Sequence, residues 1–326
     1  MKIAIYSVCL CSAVLMLVGG CAQPKCPGTE LLTPMNDLVS DYNANAAAMP
    51  RLWARTRIQI SGKYKGVPFN YGSVSPKADP NGLLIIRKND KDPFGPQDFV
   101  LIYREAGNEL ARLGISRADG VYYSWNKPID SCWYGRLALA GAQGVNVPLD
   151  PVQLPGIVGI VPLPQKGDNP LAVHYVRQEW PFAQVLEYIE RQRTAKGCDG
   201  HMLLKRETFF RWQIDPAQPT AILPQEVFMV KLYDNRGVNV MTAYMDNYQP
   251  VKLEDADPNQ PVVAKLPTDI KLVWQSGECV HMLLSDMTTE DKVDPAVFEF
   301  YNRLPAGMGA KTRRVDANVT SEGVTE

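Results

Sequence analysis

Histidine is nearly missing, with three residues in 326. No G-x-S-x-G, H-E-x-x-H, Walker loop or dinucleotide fingerprint occurs, so the common signatures of hydrolase, zinc-protease and nucleotide sites are absent. Neither sign of charge prevails. Lys and Arg number 34 against 35 Asp and Glu, a net charge of -1, which implies no general attraction to nucleic acid. The one long apolar run, Ile3–Val18, is too short and wrongly flanked for a membrane span. Charged residues make up 21% and apolar residues 45%, the proportions of a globular chain with a core. Pro (26) and Gly (24) are plentiful and lie between apolar runs, as expected where turns join short strands.

Lys2, the run Ile3–Val18 and the small residues Gly19-Gly20 before Cys21 resemble a bacterial lipoprotein signal. That resemblance implies cleavage before Cys21 and acylation of its thiol, with the new amine open to acylation too. Two or three chains make a stable membrane anchor. An ordinary secretory signal or an N-terminal anchor is the alternative. Ala22 follows the Cys, which leans toward the outer membrane under the enterobacterial sorting rule. The expected place is the cell envelope, on the periplasmic side. The expected organisation is a signal over 1–20, lipidated Cys and tether over 21–34, one domain over 35–304 and a disordered tail over 305–326. Cys9 and Cys11 leave with the signal. Cys26, Cys132, Cys198 and Cys279 then remain in an oxidising compartment, where one or two disulfides fit and three full pairings stay open.

Met35–Met49 reads as a helix, with Thr33 or Asn36 as cap and Leu38, Tyr42 and Ala46 on one stripe; Pro50 ends it. Arg51–Gly62 then alternates. Ala54, Thr56, Ile58 and Ile60 face one way, and Trp53, Arg55, Arg57 and Gln59 the other, which describes a strand buried on one face. Gly82–Arg87, Phe99–Tyr103, Glu109–Ile115 and Gly120–Trp125 follow at hairpin spacing, and Tyr64–Pro80 reads as irregular. Leu137–Pro164 is rich in Gly and Pro and suggests a loop with a short helix near Leu154–Ile160, either a lid or a cover of the core. His174–Glu190 fits strands broken at Pro181 better than a helix.

The C-terminal half reads as a meander: His201–Ile214, Glu226–Tyr233, Val238–Tyr248, Asp269–Gln275 and Cys279–Ser285. Turns at Asp234-Asn235-Arg236-Gly237 and Ser276-Gly277-Glu278 join two pairs. Repeated strands of this kind predict a mainly β protein with a few helices, its antiparallel sheet curved around an apolar cavity. Candidate wall residues for that cavity are Phe210, Trp212, Ile214, Phe228, Val230, Leu232, Leu272 and Trp274. The competing reading makes these aromatic stripes plain core.

No catalytic residue and no cofactor site emerge. His174 sits in an apolar stretch and reads as packed. Cys198 with His201, and Cys279 with His281, could make a zinc set only if two separated strand starts were neighbours, so no metal site is assigned. Asp234, Asp246 and Asp286 read as solvated turn or strand-end residues.

The helix-to-strand entry MNDLVSDYNANAAAMPRLWARTRIQISG, the segment ELARLGISRADGVYYSWNKP and the closing run LPTDIKLVWQSGECVHMLLSDMTTEDKVDPAVFEF resemble the bacterial lipoprotein-carrier family of LolA- and LolB-like proteins. The closing run resembles that family's ending in an apolar Phe motif, here Val297-Phe298. The resemblance spans most of residues 35–300 as pattern and spacing. It implies an unclosed antiparallel β-barrel, a half-barrel with a helical and loop lid, holding acyl chains of a lipid or lipoprotein in its cavity. A lipid anchor would place the chain nearer the acceptor than the soluble carrier. A closed lipocalin-like barrel, or a two-layer β protein with a filled core, is the alternative.

Overall fold

A computed structural model describes residues 25–316, apart from 65, 76, 129, 141–150, 166–171, 192–202, 235, 255–263, 306 and 308. The signal, Cys21, Cys198, His201 and residues 317–326 of the tail lie outside the described residues.

The chain forms helix α1 (Met35–Ala47) and strands β1 (Arg51–Tyr64), β2 (Val67–Gly72), β3 (Gly82–Arg87), β4 (Asp98–Glu105), β5 (Asn108–Ser116), β6 (Val121–Asn126) and β7 (Ser131–Arg136). A five-residue helix α2 (Leu154–Val158) follows, then β8 (Val173–Arg177), β9 (Ala183–Arg191), β10 (Leu203–Arg211), the short pair β11 (Ile214–Asp215) and β12 (Gln218–Ile222), β13 (Val227–Tyr233), β14 (Asn239–Pro250), β15 (Lys265–Trp274), β16 (Cys279–Thr288) and β17 (Arg313–Arg314). One sheet carries all of these strands except β11 and β12. Its order is β17-β7-β6-β5-β4-β3-β1-β16-β15-β14-β13-β10-β9-β8, with β2 paired to β1. The end strands β8 and β17 do not meet, so the barrel is open. Every pairing between consecutive strands of the sheet is antiparallel except β17 with β7. This is the half-barrel that the family resemblance implies.

The alternation expected of β1 holds. Ala54 and Ile58 are fully buried in the central core, while Trp53 packs on the other face beside Ile85 and Val293. The turns follow their chemistry. Asp234 Oδ1 accepts from the backbone N–H of Arg236 and of Val238, both at 2.9 Å, and Gly237 and Gly277 take the left-handed backbone their turns need.

The concave face is covered by α1 and α2, and two asparagines hold the cover in place by acting as extra peptide groups. Asn43 donates to the Leu163 carbonyl at 2.8 Å and accepts from its N–H at 2.7 Å. Asn45 does the same for Lys265, at 2.9 and 2.7 Å. All five residues of α2 are buried, and Gly159 ends it at φ 98. Thr33 and Asn36 do not cap α1; Pro34 precedes its first residue and makes no side-chain cap.

The convex face carries a strap over Val293–Leu304. Phe298 packs on Ile85, Val100 and Ile102, and Phe300 on Tyr123 and Trp125. Three hydrogen bonds pin it: Arg112 Nη1 to the Val297 carbonyl (2.6 Å), Tyr123 OH to the Phe298 carbonyl (3.2 Å), and the Phe300 N–H to Asp119 (2.7 Å). Burial pushes the Tyr123 phenol up to about 12, so it stays a donor.

Several expectations change. Tyr64–Pro80 contains strand β2, and β7 and β12 had no separate reading. The tail past Pro305 is not wholly free, because β17 adds to the edge of β7. His201–Ile214 stops at Arg211, and Ile214 starts the separate β11–β12 hairpin. His174 is exposed on edge strand β8 instead of packed. Cys26, Cys132 and Cys279 are unpaired, which removes the two-disulfide reading, since that would join two of these three.

Candidate ligand cavities

The concave face divides into a filled middle and two hollows. In the middle, α2 reaches the sheet through Arg206 of β10, which is 4% exposed and donates from Nη2 to the Gly156 carbonyl at 3.1 Å. Tyr42 of α1 donates to the same carbonyl at 3.3 Å. Leu154, Ile157 and Val158 thereby join Val230, Leu232 and Leu272 in one core. The Gly/Pro segment is a plug here, and the wall expected at these strands is packed against protein.

The first hollow, of about 500 Å³, lies at the end of the half-barrel formed by β1, β4–β7 and the β15–β16 turn. Its depth is apolar: Ile58, Leu101, Leu113 and Val280, with Trp133 and Trp274 at the sides. Apart from Arg112, the charged groups stand toward the mouth. They are Lys63 at the end of β1, Asp130, Glu278, and Lys311 and Arg313 of the tail. Buried Arg112 also lines the cavity but is committed to Glu109 at 2.6 Å. The volume falls within the range of about 300–1,000 Å³ typical of small-molecule sites.

The second hollow, of about 430 Å³, lies beside α1 and is lined by Leu38, Phe210, Val227 and Leu266 with Tyr248 and Glu226. Burial raises the Glu226 carboxyl above its ordinary value, against the opposing pull of Lys265 and Arg211. Tyr248 donates to the Val227 carbonyl at 2.7 Å.

Of the expected wall residues, Phe210 reaches the second hollow and Trp274 the first. Val230, Leu232 and Leu272 lie in the filled middle. Trp212 is fully buried elsewhere, its Nε1 donating to the Leu31 carbonyl at 3.4 Å. Phe228 is on the convex side with Phe209 and Met229. The cause is a bulge: Phe209 pairs with Met229 but Phe210 with Val227, so Phe228 is passed over and its alternation breaks. Trp133 and the depth residues Ile58, Leu101 and Leu113 were missed because inward alternation marks core and cavity wall alike.

The chemistry elsewhere is structural. His281 Nε2 lies 2.8 Å from Asp269 Oδ1. Asp246 and Asp286 are exposed and pair with Arg211 and Arg55, at 3.0 and 3.6 Å.

The sequence matches no protein-family model and no curated protein. Solved structures of similar shape exist at 9–10% identity. A DUF1329 family protein from Desulfovibrio piger aligns over 82% of this chain and 97% of its own, with TM-score 0.46. A putative outer membrane lipoprotein-sorting protein domain from Vibrio parahaemolyticus aligns over 81% and 95%, with TM-score 0.45. A LolA superfamily protein from Nitrosomonas europaea aligns over 81% and 97%, with TM-score 0.41. No helix among the described residues is long and apolar enough to cross a membrane.

Proposed function

We propose that this chain binds an acyl chain of a lipid or lipoprotein in its half-barrel, as a lipid-anchored protein of the bacterial envelope. Cys21 is the acylated residue in this reading, and the outer membrane facing the periplasm is the place. Lipid or lipoprotein localisation is the role. The observation that carries it is the first hollow, where apolar depth residues from β1, β4, β5 and β16 leave about 500 Å³ unfilled. A cavity with an apolar depth, its one buried charge already paired, suits an alkyl guest, since each buried CH₂ contributes about 0.8 kcal/mol. Nothing in the charge balance favours nucleic acid.

A second reading, an envelope scaffold that docks another protein, has two observations in its favour. The middle of the concave face is already filled by α2, and edge strand β8 exposes Val173 and Tyr175 near Trp180. Native mass spectrometry with lipid extraction, on protein purified from a bacterial envelope, separates the two. A stoichiometric co-purifying lipid is expected. A clean unliganded mass that takes up neither fatty acid nor phospholipid would give the scaffold reading precedence.

A further inference from the structure

The first hollow owes its mouth to the C-terminal tail. Alternate tail residues Lys311, Arg313 and Val315 line it. The residues between them face the other way and anchor the tail. Arg313 and Arg314 run parallel to Trp133 and Tyr134 of β7, and the Val315 N–H reaches the Tyr134 carbonyl at 2.9 Å. Asp316 is fully buried and accepts from the Arg136 N–H at 3.0 Å and from Arg136 Nε at 3.3 Å. This clasp fixes the stretch of backbone that carries Arg313.

The charges at that mouth are not balanced. Lys311 is tied to Asp130 at 2.6 Å, so that pair is neutral. Lys63, from the opposite side of the opening, and Arg313 make no ion pair with any described residue; the remaining acid, Glu278, lies close over Gly62 and bonds Ser276. Lys63 and Arg313 therefore overlook an apolar pocket, and with the charge of Glu278 counted the mouth remains positive by one.

We propose that the first hollow takes an amphiphile whose alkyl chain ends in an anionic group. The chain lies among Ile58, Leu101, Leu113 and Val280, and the anion is held by Lys63 and Arg313. This rests on the acyl-chain reading above and adds the sign of the head group. A fatty carboxylate and the phosphate of an anionic lysolipid share this chemistry. Because both cations are exposed, each adds only a modest factor, and together they favour an anion by about tenfold.

The test uses the full chain and three guests of equal length: dodecanoate, dodecanol and dodecylamine. Binding is read by displacement of a fluorescent fatty acid. Dodecanoate is expected to bind about tenfold more tightly than dodecanol and dodecylamine to bind weakest. Lys63→Gln with Arg313→Gln should level the series, and Lys63→Glu with Arg313→Glu should invert it; both pairs of changes are at exposed positions, and thermal unfolding verifies the fold. Lysophosphatidylglycerol against a fatty acid of the same chain length then distinguishes a phospholipid source from a free fatty acid, the tighter binder naming the source. Equal affinity for all three guests in the native chain would overturn the head-group assignment and leave the acyl-chain reading standing. So would a preference for dodecanoate that survives both substitutions. Failure of every guest to bind would sink both.

Discussion

Filling the first hollow should expel its guest without unfolding the protein. Ala111 of β5 is 9% exposed and lines that hollow, flanked in the sheet by Tyr103 of β4 and Asn126 of β6. Ala111→Phe adds a ring into empty space, displacing about four or five methylenes of a guest. At about 0.8 kcal/mol each this removes roughly 3–4 kcal/mol of binding, or about two to three decades of affinity. The ring itself finds apolar neighbours, so its burial, worth up to about 1.5–3 kcal/mol, offsets any local repacking. Fatty-acid displacement reports the affinity and thermal unfolding reports the fold. The same change at Ala54, which packs in the filled middle, should instead destabilise by about 1–3 kcal/mol. Undiminished affinity in a folded Ala111→Phe chain would show that the guest, if any, sits elsewhere.

Trp212→Ala should cost about 3–5 kcal/mol of stability while leaving the affinity of the folded fraction unchanged, because Trp212 is buried away from both hollows; a large loss of affinity would return it to the cavity wall. Asp316→Ala should cost about 1.5–3 kcal/mol and loosen the tail, measured by denaturant unfolding and by hydrogen exchange at Arg136 and Val315. Burial pushes the Asp316 carboxyl up, but the Arg136 N–H and Arg314 outweigh it and hold the group below its ordinary range. Its stabilisation is therefore full above the unfolded carboxylate value and is lost as pH falls through the lower folded one, a loss the variant should not show. Lys88 is lowered to about 8 by burial, against the opposing charge of Asp90. Between about 8 and 10.5 the unfolded chain binds more protons than the native one, so this group makes stability rise with pH. Lys88→Met should flatten that rise in pH-dependent melts, and an unchanged slope would contradict it.

Much of the sheet was legible because one-sided burial enforces alternation. Ala54, Thr56 and Ile58 are buried and Ile60 packs on the same core, as their spacing requires, and the pairs at Asp234–Gly237 and Ser276–Glu278 turn where their residues favour turns. The cavity was far less legible. A residue facing a hollow and one facing a plug have the same pattern, so Leu272 and Val280 cannot be told apart without knowing where α2 comes to rest. Phe228 misled for another reason: a bulge leaves no mark on composition, yet it moves a side chain to the other face. The tail misled because its ordering depends on a distant clasp. Nothing local in Lys311–Asp316 says that Arg136 will supply the N–H that Asp316 accepts.

The central seam of the sheet has a consequence for how the protein is made. The first long strand, β1, pairs with the last long one, β16, and between them the chain runs through two separate meanders. Each meander can form from neighbouring hairpins as it emerges, but the seam joining them must wait for almost the whole chain. Contacts so distant in sequence form late and slowly. Until they do, the inward faces of both halves lie open, with apolar rows and unpaired strand edges exposed to aggregation. If the proposed envelope location holds and the chain is exported unfolded, it would depend on a holding chaperone for the interval between the emergence of Arg51 and that of Thr288.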